Sequence, residues 1–519
     1  MEKYTIRSAP QIQKVPQVTP TAKQFTVSKV FSDNMILQRD EYIRICGYAD
    51  ESENGNIVCA EFMGLYGSAK IENGEWKLVL DGTLPACNSK GNKLRVYGVD
   101  TEYVYNDVLV GDVYLVAGQS NAAYSVERCL DAWKDDENYN KIFTQEDIND
   151  TDNIRIMLNR PGLIAYPPGN QSLTISKDLT HTRGWQIPSS LALKASALGY
   201  YFAKQIIAQT NNQVPIGIID CSLAAAALSA FISKEAAEKS NSDVYDEERG
   251  GYYTESVVGL QTARTIFNHC INPFMNYTIS AMIWYQGESD CFPKLYETYP
   301  KRFTAMAEDY RAKINQNYYD FPVLIVELPS EWKKPADYEK GDWAHIEFGF
   351  TRSYMGLIPT MLPNCFIAPG SDVWKVKTYP NSLHPYCKWA QAEYLKEIAL
   401  SMFYTEYSDN KIDYVAAPCF VKADILSENA VRVYFSHTGD GLKVINGDSA
   451  RGIEVLVENN WVPAGNVVVN SNYIEVSHGS KFTALRYFTQ SDLSFPEDIN
   501  ICSSSGIPMA SFILTTQNL

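Results

Sequence analysis

The sequence predicts an α/β protein: a parallel sheet with helices on both faces, and a β region before and after it. Two observations carry this. Apolar runs at residues 113–117, 215–221, 281–285, 323–328 and 366–368 have the length and uninterrupted character of strands buried on both faces, and they alternate with helical segments. On either side of that block the rhythm changes to short runs broken by turn residues, the pattern of antiparallel sheets.

Residues 1–24 are polar, contain Pro10, Pro16 and Pro20, and read as a flexible leader without the apolar stretch of a secretory signal. Residues 25–110 form an N-terminal β domain, a sandwich assembled from runs such as 42–46, 57–62, 76–80 and 93–99. The α/β domain spans 111–411. Within it, segment 191–209 has no proline and sets Leu198, Tyr201, Phe202, Ile206 and Ile207 at helical spacing, and 386–403 does the same through Trp389, Ala392, Leu395 and Ile398. A polar, acidic stretch at about 240–256 reads as a long loop inserted over the ligand face. Residues 412–519 return to strand-like runs, among them 430–435, 452–457 and 482–487, and form a C-terminal β domain.

The 519 residues carry 45 Lys and Arg against 61 Asp and Glu, a net charge of −16. Such a chain repels a phosphate backbone, which argues against nucleic acid as a partner. No run approaches the roughly 18 apolar residues of a membrane-spanning helix, so no membrane is expected. Eleven cysteines, an odd number without CxxC pairs or metal-ligand spacing, predict thiols in a cytoplasm rather than a disulfide framework, and no metal.

The chemistry gathers at three segments. In GDVYLVAGQSNAAYSVE, residues 111–127, a buried strand ends in Gly118, Gln119, Ser120 and Asn121 before a helix. Ser120 therefore stands at the carboxyl end of a strand, where open α/β sheets bind ligands. The second glycine of a GxSxG elbow is missing, which argues against the usual α/β-hydrolase fold. A serine attacks an ester only if a base takes its proton. Of the six histidines, His437 and His478 fall in the C-terminal β region, His181 in a polar segment, His269 in a helical stretch, and His345 is not excluded. His384 lies in PNSLHP, a loop entering the 386–403 helix, where an α/β fold returns the chain to the sheet's carboxyl edge. In SAMIWYQGESD, residues 280–290, a strand ends in Gln286, Gly287 and Glu288, an amide and a carboxylate available to a site.

With these segments in this order the chain resembles the sialate O-acetylesterase family, a branch of the SGNH hydrolases that act as carbohydrate esterases. The resemblance runs through FSDNMILQR at 31–39, GDVYLVAGQSN at 111–121, IWYQGES at 283–289, His384 with Pro385, VRVYFSHTGDGL at 431–442 and LRYF at 485–488. It implies a three-layer α/β/α SGNH-hydrolase domain flanked by β domains, Ser120 as nucleophile, His384 as general base, an acetyl-serine intermediate, and no metal or cofactor. The implied oxyanion donors are the Ser120 N–H, a backbone N–H near Ala224 and Ala225, and the Gln286 side chain. Two departures stand out. Leu223, Ala224, Ala225 and Ala226 replace a Trp-Gly-Gly-Thr-like run, and Asn381, followed by Ser382, replaces an aspartate three residues before the histidine. The orienting acid is then Asp372 or Glu288, or the enzyme is a Ser-His dyad.

Aromatic residues make up 12% of the chain, and Tyr124, Trp284, Tyr285 and Trp374 neighbour the motif residues. Asn121, Tyr285, Glu288 and Trp374 are the expected substrate contacts. Arg128 and Arg352 are the candidates for a carboxylate fork, which sialic acid requires. The expected partner is an acetylated carbohydrate, either sialic acid or oligosaccharides of xylan, mannan or xyloglucan. The alternative is a noncatalytic carbohydrate-binding protein on a degenerate esterase scaffold.

Overall fold

The computed structural model describes residues 14–133, 152–159, 175–179, 182–188, 192–241, 263–291, 295–314, 321–330, 348–372, 384–490 and 493–515. The first strands are β1 (Thr26–Val27), β2 (Ile36–Gln38), β3 (Arg44–Tyr48), β4 (Ile57–Phe62), β5 (Leu65–Lys70), β6 (Glu75–Val79), β7 (Leu94–Tyr97) and β8 (Glu102–Tyr105). Two antiparallel sheets, β1-β3-β6 and β5-β4-β7-β8, face one another in this region. Alternation makes them one-sided: in β6, Trp76 and Leu78 are buried while Glu75, Lys77 and Val79 are exposed.

β2 leaves that arrangement and pairs in parallel with the start of β9 (Leu109–Gly118), a strand of ten residues, every one buried. β9 is the pivot of the large sheet. With β10 (Ile154–Leu158), β11 (Trp185–Gln186), β12 (Ile216–Asp220), β13 (Ala281–Tyr285), β14 (Val323–Val326) and β15 (Cys365–Ala368), the order is β11-β10-β12-β9-β13-β14-β15, parallel throughout except for β11. From β9 the chain moves outward to β10 and back to β12, then passes to β13 on the other side. The order reverses at β9, and the crevice at its carboxyl end is where such sheets bind ligands. Register completes the placement, since Asp220 pairs with Val116 and Tyr285 with Gly118. Three strand ends therefore lie side by side.

Among the described residues the α-helices of the α/β domain are α1 (Ser120–Ala123), α2 (Val126–Trp133), α3 (Ala197–Gln209), α4 (Lys234–Ser240), α5 (Leu295–Lys313), α6 (Phe348–Met355) and α7 (Lys388–Phe403). Neighbouring residues of β13 show that they cover both faces: Trp284 packs edge-on against Phe303 of α5, whereas Tyr285 accepts a hydrogen bond from Gln391 of α7. α3 starts later than its apolar pattern predicts because the Ser196 hydroxyl caps it, accepting from the Gly199 N–H at 3.3 Å. The segment expected to form an inserted loop lies almost wholly outside the described residues, which resume at 263 after α4 ends.

The C-terminal strands fall into four-stranded sheets over 419–477 and 453–514 and a two-stranded ribbon. They enclose an apolar core of their own, including Val433, Val455, Ile474, Val476, Leu485 and Tyr487. Arg352 of α6 binds this region to the α/β domain. Its guanidinium is fully buried, lies 3.6 Å from the Phe488 ring centroid, and donates to the carbonyls of Pro329, Phe488 and Gln490.

Candidate active site

At Gly118, φ is +141°, and an added Cβ would lie 2.1 Å from the Tyr285 carbonyl oxygen. Only glycine lets β9 and β13 remain paired to their ends and then turn. The Gln119 N–H donates to the Tyr285 carbonyl at 3.0 Å, and the next residue, Ser120, begins α1 half-buried.

The QGE segment is locked against this turn. Gln119 Oε1 accepts from the Ser289 N–H at 3.0 Å and from Gln286 Nε2 at 3.1 Å. Gln286 Nε2 also reaches the Ala226 carbonyl and Asp290 Oδ2, while Tyr299 donates its hydroxyl to Gln286 Oε1. Asp290 further accepts from the Leu228 N–H and from Arg302. The expectation that Gln286 serves as an oxyanion donor is thereby corrected: its side chain is fully buried, and its two amide protons face three internal acceptors.

The third strand end supplies a different donor. After β12, the Leu223 N–H donates to the Gly118 carbonyl at 2.9 Å, and the following turn closes with Ala226 N–H on the Leu223 carbonyl. Ala224 and Ala225 are exposed at its tip, and Ala225 has φ +58°. The alanine run preserves a backbone shape that favours glycine, and stores local strain of about 1 kcal/mol in doing so.

His384 reaches the same end of the sheet. Its ring stacks on Tyr124, four residues beyond Ser120, with centroids 5.8 Å apart and planes at 28°. Tyr386 packs on the same ring, and the exposed Arg128 guanidinium lies 5.9 Å from its centroid. Burial first, then the charges of Lys388 and Arg128, push the imidazole down to about 4.

The two candidate orienting acids have partners of their own. Asp372 accepts the Tyr394 hydroxyl, and Glu288 Oε1 accepts from Asn121 Nδ2. On the opposite side of the same amide, Lys388 Nζ donates to Asn121 Oδ1 at 2.6 Å, with the Tyr285 ring centroid 4.8 Å away. Asn121, Tyr285 and Lys388 are fully buried. Burial pushes the Lys388 ammonium down to about 8 and raises the Glu288 carboxyl above the usual range. Among the described residues no group of three His, Cys, Asp or Glu side chains could hold a metal ion, and no helix is long and apolar enough to cross a membrane.

This geometry has recognisable relatives. Residues 110–349 match the family model for carbohydrate esterases described as sialic acid-specific acetylesterases. Sialate O-acetylesterase of Homo sapiens is 26% identical over 405 residues, covering 74% of this chain and 72% of the relative, and the Pongo abelii protein is 26% identical over 407 residues. The fold is that of a carbohydrate acetylesterase from Xanthomonas citri, with a TM-score of 0.71 at 23% identity over 95% of this chain and all of the other. The chain is a carboxylic ester hydrolase that resembles this family across its α/β domain.

In this esterase several expected contacts are relocated. Asn121 and Tyr285 were assigned to substrate by their position in the motifs, but both are internal braces with no exposed surface. Glu288 turns its carboxylate inward, where Oε1 accepts from Asn121 Nδ2. Arg352 cannot meet a ligand because its nitrogens bind backbone carbonyls in the interior. Asp372 is held by Tyr394. Trp374, Asn381, Ser382, His181 and His345 lie outside the described residues. Of the remaining histidines, His269 bonds Ser176, His437 meets Asp413, and His478 accepts from the Ser480 N–H. Lys388 was missed by sequence reasoning. Its one signal is a lysine opening an apolar helix four residues after His384.

Proposed function

We propose that the esterase is a serine carbohydrate O-acetylesterase working through an acetyl-serine. The observation that carries this reading is Ser120 at the carboxyl end of the pivot strand, with His384 stacked on Tyr124 one turn further along. His384 takes the proton from Ser120 Oγ as the oxygen bonds to the acetyl carbonyl carbon. The tetrahedral oxyanion is met by the N–H groups of Ser120 and Ala225, and the sugar oxygen leaves with the proton returned by His384. Water, deprotonated by the same imidazole, then attacks the acetyl-serine, releasing acetate and restoring Ser120.

The reading adopts a Ser120–His384 dyad, supported by the engagement of Asp372 with Tyr394 and of Glu288 with Asn121. For the substrate, the exposed Arg128 beside Tyr124 and His384 supports an acidic acetylated sugar, of which sialic acid is the leading case given the names of the relatives. The test is acetate release from 4-nitrophenyl acetate and from acetylated sialic acid, xylan, mannan and xyloglucan, with Ser120→Ala beside the wild type. Loss of release in the variant supports the mechanism, and the preferred glycan names the sugar. Glycan binding with no release by either protein would instead make this a binding protein.

A further inference from the structure

The Asn121 side chain bridges two buried charges. Its Oδ1 accepts from the Lys388 ammonium at 2.6 Å, and its Nδ2 donates to the Glu288 carboxylate. Each partner comes from a different strand end or helix: Asn121 follows Ser120 directly, Glu288 follows β13, and Lys388 opens α7 four residues after His384. The ammonium has no exposed surface, and the Tyr285 and Tyr124 rings lie 4.8 and 5.7 Å from it. A cation taken out of water this completely costs several kcal/mol unless its surroundings compensate. Here the compensation is a neutral amide, two aromatic faces and a carboxylate one amide further away.

We propose that Lys388 is a positioning residue of the active site, locking the turn that carries Ser120 to the loop that carries His384 through the Asn121 amide. The inference rests on the reading of Ser120 and His384 as nucleophile and base. An amide held at both ends cannot rotate, so Asn121 presents one orientation and the residue before it inherits a fixed backbone. Because Lys388 begins the helix that follows the histidine loop, the same hydrogen bond sets the distance between the two reacting groups.

The charge has a second consequence. The groups facing Lys388 are Glu288 after β13, Tyr285 on β13, Cys129 on α2, Tyr124 between α1 and α2, and Cys387 and His384 before α7. Lys388 is the largest charge acting on His384, ahead of Arg128, and opposes its protonation. Removing that charge raises the imidazole's affinity for a proton, so the acid limb of the kcat/KM profile moves to higher pH.

The experiment compares wild type, Lys388→Gln, Lys388→Arg and Asn121→Leu with 4-nitrophenyl acetate as probe, alongside thermal melts. For Lys388→Gln the expected result is a kcat reduced by about tenfold or more with KM within about twofold, and an acid limb raised by about one pH unit. Lys388→Arg, which keeps the charge, leaves the limb in place. Combining Lys388→Gln with Asn121→Leu costs no more than the worse single change, because the two act through one contact. An unshifted limb, or fully additive losses, overturns the proposal. If Lys388→Gln does not fold, Lys388→Met, which keeps length without charge, is read in the same way. If neither folds, the His384 ring resonance of the wild type decides: a small second inflection near pH 8 as Lys388 loses its proton supports the coupling, and its absence overturns it. No acetate release by the wild type refutes the esterase reading instead, and the ring titration still reports on Lys388.

Discussion

Asp290 and Arg302 meet at 2.8 Å with both side chains buried, and that pair anchors the QGE segment beside the turn that carries Ser120. The other oxygen of Asp290 accepts from Gln286 and the Leu228 N–H, so one carboxylate joins α5, the segment after β13 and the segment after β12. Removing either partner strands an uncompensated charge. Arg302→Ala and Asp290→Ala should each lower unfolding free energy by about 3–5 kcal/mol, measured by denaturant melts. A loss under about 1 kcal/mol would show that the interior tolerates the orphaned charge.

The left-handed conformation at Ala225 gives a prediction of opposite sign. Ala225→Gly relieves the steric cost of a Cβ at positive φ but loosens the unfolded chain, for a net gain of about 0.5–1 kcal/mol with activity retained. Ala225→Pro removes the N–H and, with φ locked near about −65°, also displaces the turn, so kcat should fall by at least about 10²–10³. Equal rates for Ala225→Pro and wild type would take Ala225 out of the oxyanion pocket.

For the dyad, the discriminating variant is Asp372→Asn. If Ser120 and His384 work as a dyad, kcat should stay within about tenfold of wild type. A fall of about 10⁴, the size seen when a triad aspartate is neutralised, would restore Asp372 as the orienting acid.

Stability should also depend on His384. Its folded value, about 4, lies below the usual 6.5, so between these limits the unfolded chain binds the proton and the folded one does not. The contribution is complete above pH 6.5 and is lost as pH falls through 4. It amounts to about 3 kcal/mol at most. Denaturant melts from pH 7 to 4 should show His384→Gln with a shallower decline than wild type, and parallel curves would contradict the buried, neutral imidazole.

Arg352 carries the interface between the α/β domain and the C-terminal strands through three carbonyl acceptors, and faces the buried Glu327 electrostatically. Arg352→Met should destabilise by about 3–5 kcal/mol, because Glu327 then loses its compensating charge. Esterase activity per folded molecule should be unchanged, since the guanidinium has no exposed surface. A selective loss of activity on acidic sugars would return Arg352 to the substrate site.

Periodicity and composition made the architecture legible. Runs of apolar residues such as Ala281–Tyr285 are the length of one buried strand and too short for an ordinary helix, and the turn residues after them mark where the chain leaves the sheet. The positions of Ser120 and His384 were readable for the same reason, because strand ends and helix entries are local features. Partnership was not local. Whether Gln286 or Asn121 faces a ligand or the interior depends on groups far away in sequence: Asp290 and Tyr299 claim the first, and Glu288 and Lys388 the second. Arg352 shows the limit most plainly. A guanidinium looks like an anion receptor in any sequence, and only packing against Phe488 turned it into a brace between two cores. The sequence by itself determined which elements form and which reactive side chains stand at their ends; tertiary structure decided which polar groups are spent on one another, because hydrogen-bond partners and desolvation exist only once distant segments meet.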